Sequence, residues 1–220
     1  METKRERLIE YDYILKLILI GDTNTGKSTI LHNYINLRKN YIVTDPTIGV
    51  DFGTRIITLQ DNRRIKLQCW DTAGQEKYRC IIRSYFRDIC AVLLVFDVTN
   101  VTSFHNLSYW LEEIKIHKSC KNHDHPILLI GTKIDKKYRR ISKDHALRFA
   151  EENNLLYVEI NALECDTMDN IMLQLTFRIL EEFKHKQCRG VKPINNHIMI
   201  DFEEDNNNDD REKKICCSIM

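Results

Sequence analysis

The segment GDTNTGKS, from Gly21 to Ser28, carries the clearest chemistry in the chain. It fits the pattern G-x-x-x-x-G-K-[ST], in which main-chain N–H groups surround the phosphates of a nucleotide. Lys27 would bring a positive charge to the β- and γ-phosphates, and the Ser28 hydroxyl would bind Mg²⁺, which prefers oxygen ligands. The predicted nucleoside triphosphate site comprises Gly21, Asp22, Thr23, Asn24, Thr25, Gly26, Lys27, Ser28 and Thr29.

A second segment, GTKID from Gly131 to Asp135, separates guanine from adenine. It resembles the [NT]-K-x-D motif of Ras-superfamily GTPases, with Thr132 in the place of the commoner Asn. The Asp135 carboxylate offers acceptors to N1–H and to the exocyclic amine of guanine, whereas adenine has no donor at N1, and an unpaired carboxylate in a desolvated site is costly. Lys133 would lie along the base. A charged loop is the alternative for this short motif alone, but its position after the phosphate loop favours GTP.

Composition excludes several classes of protein. A chain of 220 residues with 43% hydrophobic residues can form one core plus tails, and its net charge of +1 argues against nucleic acid as a main partner. It has no apolar run long enough to span a bilayer, and METKRERLIEYDY lacks the apolar stretch of a secretory signal, so we expect a cytosolic protein.

The eight cysteines do not form a recognisable metal or disulfide pattern. Six are scattered, and a cytosolic protein keeps its thiols reduced. Cys120, His123 and His125 could ligate a metal, but they lie in a polar stretch without an evident fourth ligand, so a solvated loop is favoured.

Short apolar runs alternate with amphipathic segments, the rhythm of parallel strands joined by crossover helices. We predict strands at LKLILI, TRIITLQ, RIKLQCW, AVLLVFDV, PILLIG and LLYVEI, with a turn at Asp61-Asn62. Helices are predicted from about Gly26, after Ser103 as N-cap over FHNLSYWLEEIKIHK, over ISKDHALRFAEEN and over DNIMLQLTFRILEEF. Beyond about Lys184 the chain is polar and aperiodic, which is typical of a flexible tail.

Further segments resemble the Rab family of small GTPases. DPTIGVDF is similar to its first switch segment and WDTAGQEKYRCIIRSYFR to its second, while FDVTNVTSF and WLEEIK follow in order. The resemblance covers nearly all of residues 14–183. It implies an α/β fold: a P-loop small G-domain whose six-stranded, mostly parallel sheet has one antiparallel edge strand and helices on both faces. The expected organisation is an N-terminal extension (1–12), a GTP-binding G domain (13–184) and a flexible hypervariable tail with a prenylated C-terminus (185–220).

The resemblance also implies a mechanism. Thr47 would bind the Mg²⁺ of Ser28 with its hydroxyl and contact the γ-phosphate with its backbone, while Asp71 would hold the ion through water. The Gly74 N–H would bind the γ-phosphate, and Gln75 would orient the attacking water. These contacts need GTP, so hydrolysis to GDP would release both switch segments. We expect slow intrinsic hydrolysis that an activating protein stimulates, since no internal Arg is placed as a finger.

Several positions depart from the family pattern. Thr23 and Asn24 stand where Rab proteins have small residues, which leaves the rate of hydrolysis open. The family's base-stacking aromatic corresponds to Asn40, so either Tyr41 takes that role or stacking is weakened. The family's S-A-K motif appears as Asn161, Ala162 and Leu163, whose backbone N–H groups can still reach the guanine oxygen.

Effector binding is a further implication of the resemblance. Phe52, Trp70 and Tyr85 would form an aromatic triad, with a plain structural role as the alternative for each. Ile48 and Gly49 of the first switch segment would also bind effectors. The implied partners are effector proteins, an exchange factor, a GTPase-activating protein and an escort protein that binds prenyl groups; we expect a monomer.

The chain ends in KKICCSIM. Cys217 begins a C-a-a-X motif, whose terminal Met usually selects farnesyl, while the pair Cys216-Cys217 resembles the doubly geranylgeranylated ends of Rab proteins. Two lipids would give the stable anchoring that one chain does not. We therefore expect the cytoplasmic face of an intracellular membrane, in exchange with the cytosol.

The favoured function is a Rab-like GTPase that recruits effectors in vesicle trafficking. A guanine-nucleotide binding module with negligible hydrolysis, a P-loop ATPase or kinase, and a Rho- or Ras-type signalling protein are the alternatives.

Overall fold

The computed structural model describes residues 11–37, 45, 47, 49–72, 85–117, 125–164, 166–186 and 191–193. No helix within these ranges is long and apolar enough to cross a membrane.

A twisted sheet forms the centre of the molecule. Its main strands lie in the order β2-β3-β1-β4-β5-β6. Their bounds are Tyr13–Ile20 for β1, Val50–Thr58 for β2, Arg64–Thr72 for β3, Ala91–Asp97 for β4, Ile127–Thr132 for β5 and Leu156–Glu159 for β6. All neighbours are parallel except β2, which runs antiparallel to β3 at the edge. The predicted six strands, mostly parallel with one antiparallel edge strand, are confirmed.

The predicted turn between β2 and β3 is also present. The Asn62 N–H donates to the Leu59 carbonyl at 3.0 Å, and the Leu59 N–H donates to Arg63 at 2.9 Å. Asn62 has a φ of 66°, a conformation that Asn tolerates better than most residues. An ion pair between Asp61 and Arg63 closes the turn.

Helices cover both faces of the sheet. Helix α1 (Lys27–Ile30) continues as a π-helical turn (Leu31–Ile35), and it packs on one face together with α5 (Asp166–Lys186). The other face carries α2 (Val101–His105), α3 (Leu107–His117) and α4 (Lys143–Glu152). The predicted arrangement of helices is therefore confirmed.

Alternation along the central strands explains this two-sided core. In β1, Leu15, Leu17 and Leu19 pack towards α1 and α5, whereas Ile18 and Ile20 pack towards α2 and α3. Every residue of β4 is buried. Strands that are apolar on both faces are buried only between two helical layers, so β1 and β4 fix the centre of the fold.

The expected N-cap at Ser103 is wrong. Asn100 caps α2, and its side-chain oxygen accepts from the N–H groups of Thr102 at 2.9 Å and Ser103 at 3.3 Å. Ser103 lies inside the helix, where its hydroxyl donates to the Asn100 carbonyl at 2.9 Å and accepts from the Asp97 N–H at 3.1 Å. Asn106 separates α2 from α3, which the sequence pattern treats as one helix.

A seventh strand, β7 (Val191–Pro193), pairs antiparallel with β1 from Tyr13 to Leu15. It lies beside the part of β1 that precedes the β4 pairing, which begins at Leu17. The helix before it extends to Lys186. The structure thus places regular elements beyond residue 184, where the sequence predicts a tail.

One polar cluster lies where β6 ends. The Arg139 guanidinium binds the Glu159 carboxylate with both amino groups, at 2.8 and 2.6 Å, and the Tyr157 hydroxyl also donates to Glu159. Burial opposes ionisation of Glu159, but the bonds from Arg139 and Tyr157 outweigh it and lower the pKa of this carboxyl.

We expect Glu159→Gln to lower the free energy of unfolding by about 1 kcal/mol at pH 7, because the paired charge is lost. A carboxyl with a lowered folded-state pKa stabilises the protein above its ordinary pKa of 4.5, and that contribution disappears as the pH falls through the folded value. Denaturant unfolding from pH 7 to pH 3 should show the two proteins converging. Glu151→Gln, at an exposed site on α4, is the control, and a constant difference across this range would contradict the assignment.

Candidate functional site

The phosphate loop joins the end of β1 to the start of α1, at the carboxyl edge of the parallel strands. Its backbone is left-handed at three points, with φ of 139° at Gly21, 60° at Asn24 and 95° at Gly26. A Cβ on Gly21 would lie 2.1 Å from the Val95 carbonyl oxygen, so no other residue fits there. Thr23 and Asn24 form the exposed tip of the loop.

Lys27 is held across this loop. Its ammonium donates to the Gly21 carbonyl at 3.0 Å and to the Asp22 carbonyl at 2.7 Å, and the side chain is 5% exposed. Burial lowers the pKa of Lys27 to about 8, against the opposing influence of Asp71 and Asp22. A phosphate bound in the loop would supply a negative partner for this buried cation.

Three predicted Mg²⁺ ligands meet beside the loop. The hydroxyl oxygens of Ser28 and Thr47 lie 2.7 Å apart, and both hydroxyls donate to Oδ2 of Asp71, that of Thr47 at 3.2 Å. The other carboxylate oxygen, Oδ1, is buried and has no hydrogen-bond partner within the described ranges. Burial raises the pKa of Asp71 despite nearby Lys27. A cation beside this carboxylate would satisfy the orphaned oxygen and favour its ionised form, so the residues suit Mg²⁺.

The predicted guanine segment is fastened to the phosphate loop. The buried Thr132 hydroxyl donates to the Thr25 carbonyl at 2.6 Å, and it lies 3.0 Å from the Phe96 carbonyl. Threonine at this position therefore still makes a cross-link between the two loops. Lys133, with a φ of 63°, extends its ammonium to within 2.7 Å of the Asp97 carboxylate.

Asp135 and the 161–163 segment complete this end of the site. The Asp135 carboxylate is partly exposed, with Lys136 at 3.4 Å as its ion-pair partner. The Ile160 N–H donates to Gly131 at 2.9 Å, which holds the following residues close to the guanine segment. The Asn161 side chain accepts from the Leu163 N–H at 3.1 Å. Leu163 is thus already engaged, and Ala162 is the better candidate to meet the base.

The aromatic side chains predicted to bind effectors also lie together. Phe52 and Trp70 are opposite each other on β2 and β3, with ring centroids 4.6 Å apart, and Tyr85 lies 5.2 Å from Trp70. Phe52 is 42% exposed. The Lys16 ammonium lies 5.4 Å from the centre of the Trp70 ring, within the range of a cation–π contact.

Comparison with known proteins agrees with this geometry. The model of the Ras family matches residues 16–181. A relative from Schizosaccharomyces pombe (strain 972 / ATCC 24843), GTP-binding protein ypt3, is 41% identical over 175 residues, which are 78% of this chain and 79% of that protein. The chain belongs to the Ras family. The predicted Rab-type small GTPase, a guanine-nucleotide-binding GTPase of this family, is thereby confirmed.

Some predicted residues of this Ras-family site lie outside the described ranges. They are Tyr41, Ile48, Gly74, Gln75, Cys216 and Cys217. Cys120 and His123 also lie outside these ranges. Within the described ranges, no group of three or more His, Cys, Asp or Glu side chains could hold a metal ion. Gly49 is described and has a φ of 81°.

Sequence reasoning missed Asp97 at this site. Its carboxylate accepts from the Thr99 N–H at 2.8 Å and from the Thr99 hydroxyl at 2.7 Å, in addition to the Lys133 ion pair. The sequence does contain a signal for it: Asp97 ends the otherwise apolar strand AVLLVFD and so lies at the edge where parallel sheets bind ligands.

The Thr132 hydroxyl gives a testable expectation. Thr132→Val keeps the shape but breaks the bond to Thr25, so we expect a fluorescent GDP analogue to dissociate roughly ten-fold faster. Thr132→Ser retains the hydroxyl and is the control. Stopped-flow fluorescence measures the dissociation rates. Equal rates for the Val variant and the native protein would show that this hydrogen bond does not affect nucleotide release.

Proposed function

We propose that this Rab-type GTPase holds GTP with Mg²⁺ at the phosphate loop and recruits effector proteins only in that state. The observation that carries the proposal is the cluster of Ser28, Thr47 and Asp71. Its oxygen ligands come from three separate parts of the chain: the start of α1, the predicted first switch segment and β3. A bound ion would therefore connect that switch segment to the rigid centre of the fold.

The proposed hydrolysis uses few protein groups. Lys27 contributes a fixed positive charge beside the phosphates, and the loop N–H groups contribute oriented dipoles. Mg²⁺, when bound, would neutralise negative charge on the phosphate oxygens. We assign water orientation to Gln75 and a γ-phosphate contact to the Gly74 N–H, both by family resemblance.

The switch follows from where the charge is lost. Without the terminal phosphate, the Gly74 N–H has no acceptor. The Thr47 backbone, which by family resemblance would also contact that phosphate, then loses its partner, and Thr47 keeps only the contact of its hydroxyl with Mg²⁺. Both switch segments are then released, and the surface around the aromatic triad changes. The half-exposed Phe52 supports a role for that triad in binding effectors, because an exposed aromatic cluster offers a large contact area.

The choice of guanine is assigned to the other loops. Asp135 would bind the N1–H and amine of the base, and the Ala162 N–H would bind its oxygen. Lys133 would lie along the base, held by Asp97. The name of the ypt3 relative, a GTP-binding protein, supports the same nucleotide.

The membrane end of the cycle rests on sequence. We propose prenylation of Cys216 and Cys217, attachment to the cytoplasmic face of an intracellular membrane, and a role in vesicle trafficking. An escort protein that covers the lipids would return the GDP form to the cytosol. An exchange factor and a GTPase-activating protein would set the times of loading and hydrolysis.

Removal of the ion tests the proposed cofactor. EDTA should speed GDP release from the native protein by at least roughly ten-fold, because nucleotide phosphates lose a charged partner. In Asp71→Ala, release should already be fast and EDTA should add little. Asp61→Ala, in the β2–β3 turn at the other end of the hairpin, is the control and should respond as the native protein does. An Asp71 variant with native release and a full EDTA response would refute the site.

Gln75→Leu tests the catalytic assignment. It should bind GTP normally but lose at least about a hundredfold of the hydrolysis rate measured with the catalytic domain of a Rab GTPase-activating protein. Single-turnover phosphate release is the measurement, and Gln60→Leu, at an exposed site before the turn, is the matched control. Unchanged stimulated turnover would remove Gln75 from the mechanism.

A further inference from the structure

The Asp22 side chain is bonded to the α2–α3 region. Its two carboxylate oxygens accept from two different side chains of the α2–α3 region: Oδ1 from the Trp110 indole N–H at 2.8 Å, and Oδ2 from the Asn106 amide at 2.7 Å. These bonds join segments 84 and 88 residues apart in the chain. Hydrogen bonds from neutral donors to a carboxylate are stronger than those between neutral groups.

Both donors are fixed independently of Asp22. Trp110 is 3% exposed and packs in the core between the sheet and α3. Asn106 stands at the junction of α2 and α3, where its N–H donates to Thr102 and its carbonyl accepts from the Trp110 N–H, both at 3.0 Å. Since Asn106 and Trp110 are four residues apart, their side chains lie on one side of the helix and converge on the same carboxylate.

The main chain of Asp22 has a different task. Its carbonyl accepts from the Lys27 ammonium at 2.7 Å and from the Thr25 hydroxyl at 2.9 Å. One residue therefore binds α3 with its side chain and the phosphate-loop lysine with its backbone. Asp22 therefore links the α2–α3 junction to Lys27 through a single residue.

The loop has a second attachment on its other side. The Thr132 hydroxyl donates to the Thr25 carbonyl. Asp97, which lies opposite Thr132 at the end of β4, binds Lys133 with its carboxylate, and its N–H donates to the Ser103 hydroxyl of α2. The polar contacts thus run from α3 through the phosphate loop to the guanine segment and back to α2. Between the two attachments, only the exposed tip at Thr23 and Asn24 lacks such a support among the described loop residues.

We propose that Asp22 is a positioning residue, and that its bonds to Asn106 and Trp110 hold the phosphate loop in the shape that retains nucleotide. The α2–α3 junction then controls the rate of nucleotide release. This inference rests on the proposed nucleotide site, but it assigns the control of release to a junction that would not touch the nucleotide.

The kinetic test uses the full chain loaded with a fluorescent GDP analogue. Trp110→Phe removes the indole N–H but keeps an aromatic ring in the core, and we expect release to be roughly five- to ten-fold faster. Asn106→Ala should have a similar effect. Asp22→Ala, which removes both acceptor oxygens, should accelerate release at least as much as either.

Matched variants separate this effect from general loosening. Ile114→Val loosens the same core on α3 without touching Asp22, and Asn153→Ala removes another helix-terminal amide, which donates to Phe149. Both should release GDP at the native rate. A double variant, Asp22→Ala with Trp110→Phe, should be no faster than Asp22→Ala alone, because the bond from Trp110 is already absent in Asp22→Ala.

A spectroscopic measurement tests the bond itself. The chain contains two Trp residues, so its ¹⁵N–¹H spectrum has two indole N–H signals. The signal that disappears in Trp110→Phe should shift in Asp22→Asn and remain in place in Ile114→Val. A purely structural role for Trp110 would leave that signal unaffected by the charge at residue 22.

The outcomes are distinct. Failure of the native protein to retain any fluorescent guanine nucleotide would refute the proposed function. Normal retention with release rates of Trp110→Phe and Asn106→Ala within about two-fold of native would refute only the role of Asp22. That role would also be refuted by additive effects in the double variant, or by a Trp110 indole signal whose chemical shift is unchanged in Asp22→Asn.

Discussion

The site depends on a loop whose binding groups are main-chain atoms. Such a loop has no apolar core of its own, and its left-handed backbone at Gly21, Asn24 and Gly26 is a conformation that an isolated chain visits only part of the time. Its shape must therefore come from the surroundings. Two cross-links supply it, from Asp22 to α3 and from Thr132 to Thr25, and both use side chains that are themselves held by the core.

The rigidity of those surroundings comes from the centre of the sheet. From Leu17 to Ile20 in β1 and from Ala91 to Phe96 in β4, the strands are apolar on both faces and lie between the two helical layers, with Leu17 opposite Ala91. Because Gly21 approaches the Val95 carbonyl too closely for any side chain, the loop begins at a position set by β4. Packing at the centre of the domain thus decides where the first phosphate-binding N–H group can lie.

Local chemistry explains which features the sequence could reveal. The strands follow from apolar runs, the turn from Asp61-Asn62, and the phosphate loop from Gly and Lys at fixed spacing, because each depends on a few adjacent residues. The bonds of Asp22 to Asn106 and Trp110 cannot be found this way, since they join distant segments. Ser103 and Asn100 are both good N-caps, and only the observed start of α2 distinguishes them. Likewise, β7 has only three residues, one of them a proline, so no sequence pattern marks it as a strand, and it forms through its pairing with β1.

The replacement of Asn by Thr in the guanine motif can be understood through the same cross-links. A shorter side chain can reach Thr25 only if the phosphate loop already lies close to β5, and the 2.6 Å bond from Thr132 shows that it does. On the opposite side, Asn106 and Trp110 hold Asp22 of the same loop. Because both attachments hold the same short loop, we expect loosening of either one to weaken the other. A nucleotide held between them stabilises both at once, which couples its affinity to contacts on two sides of the domain.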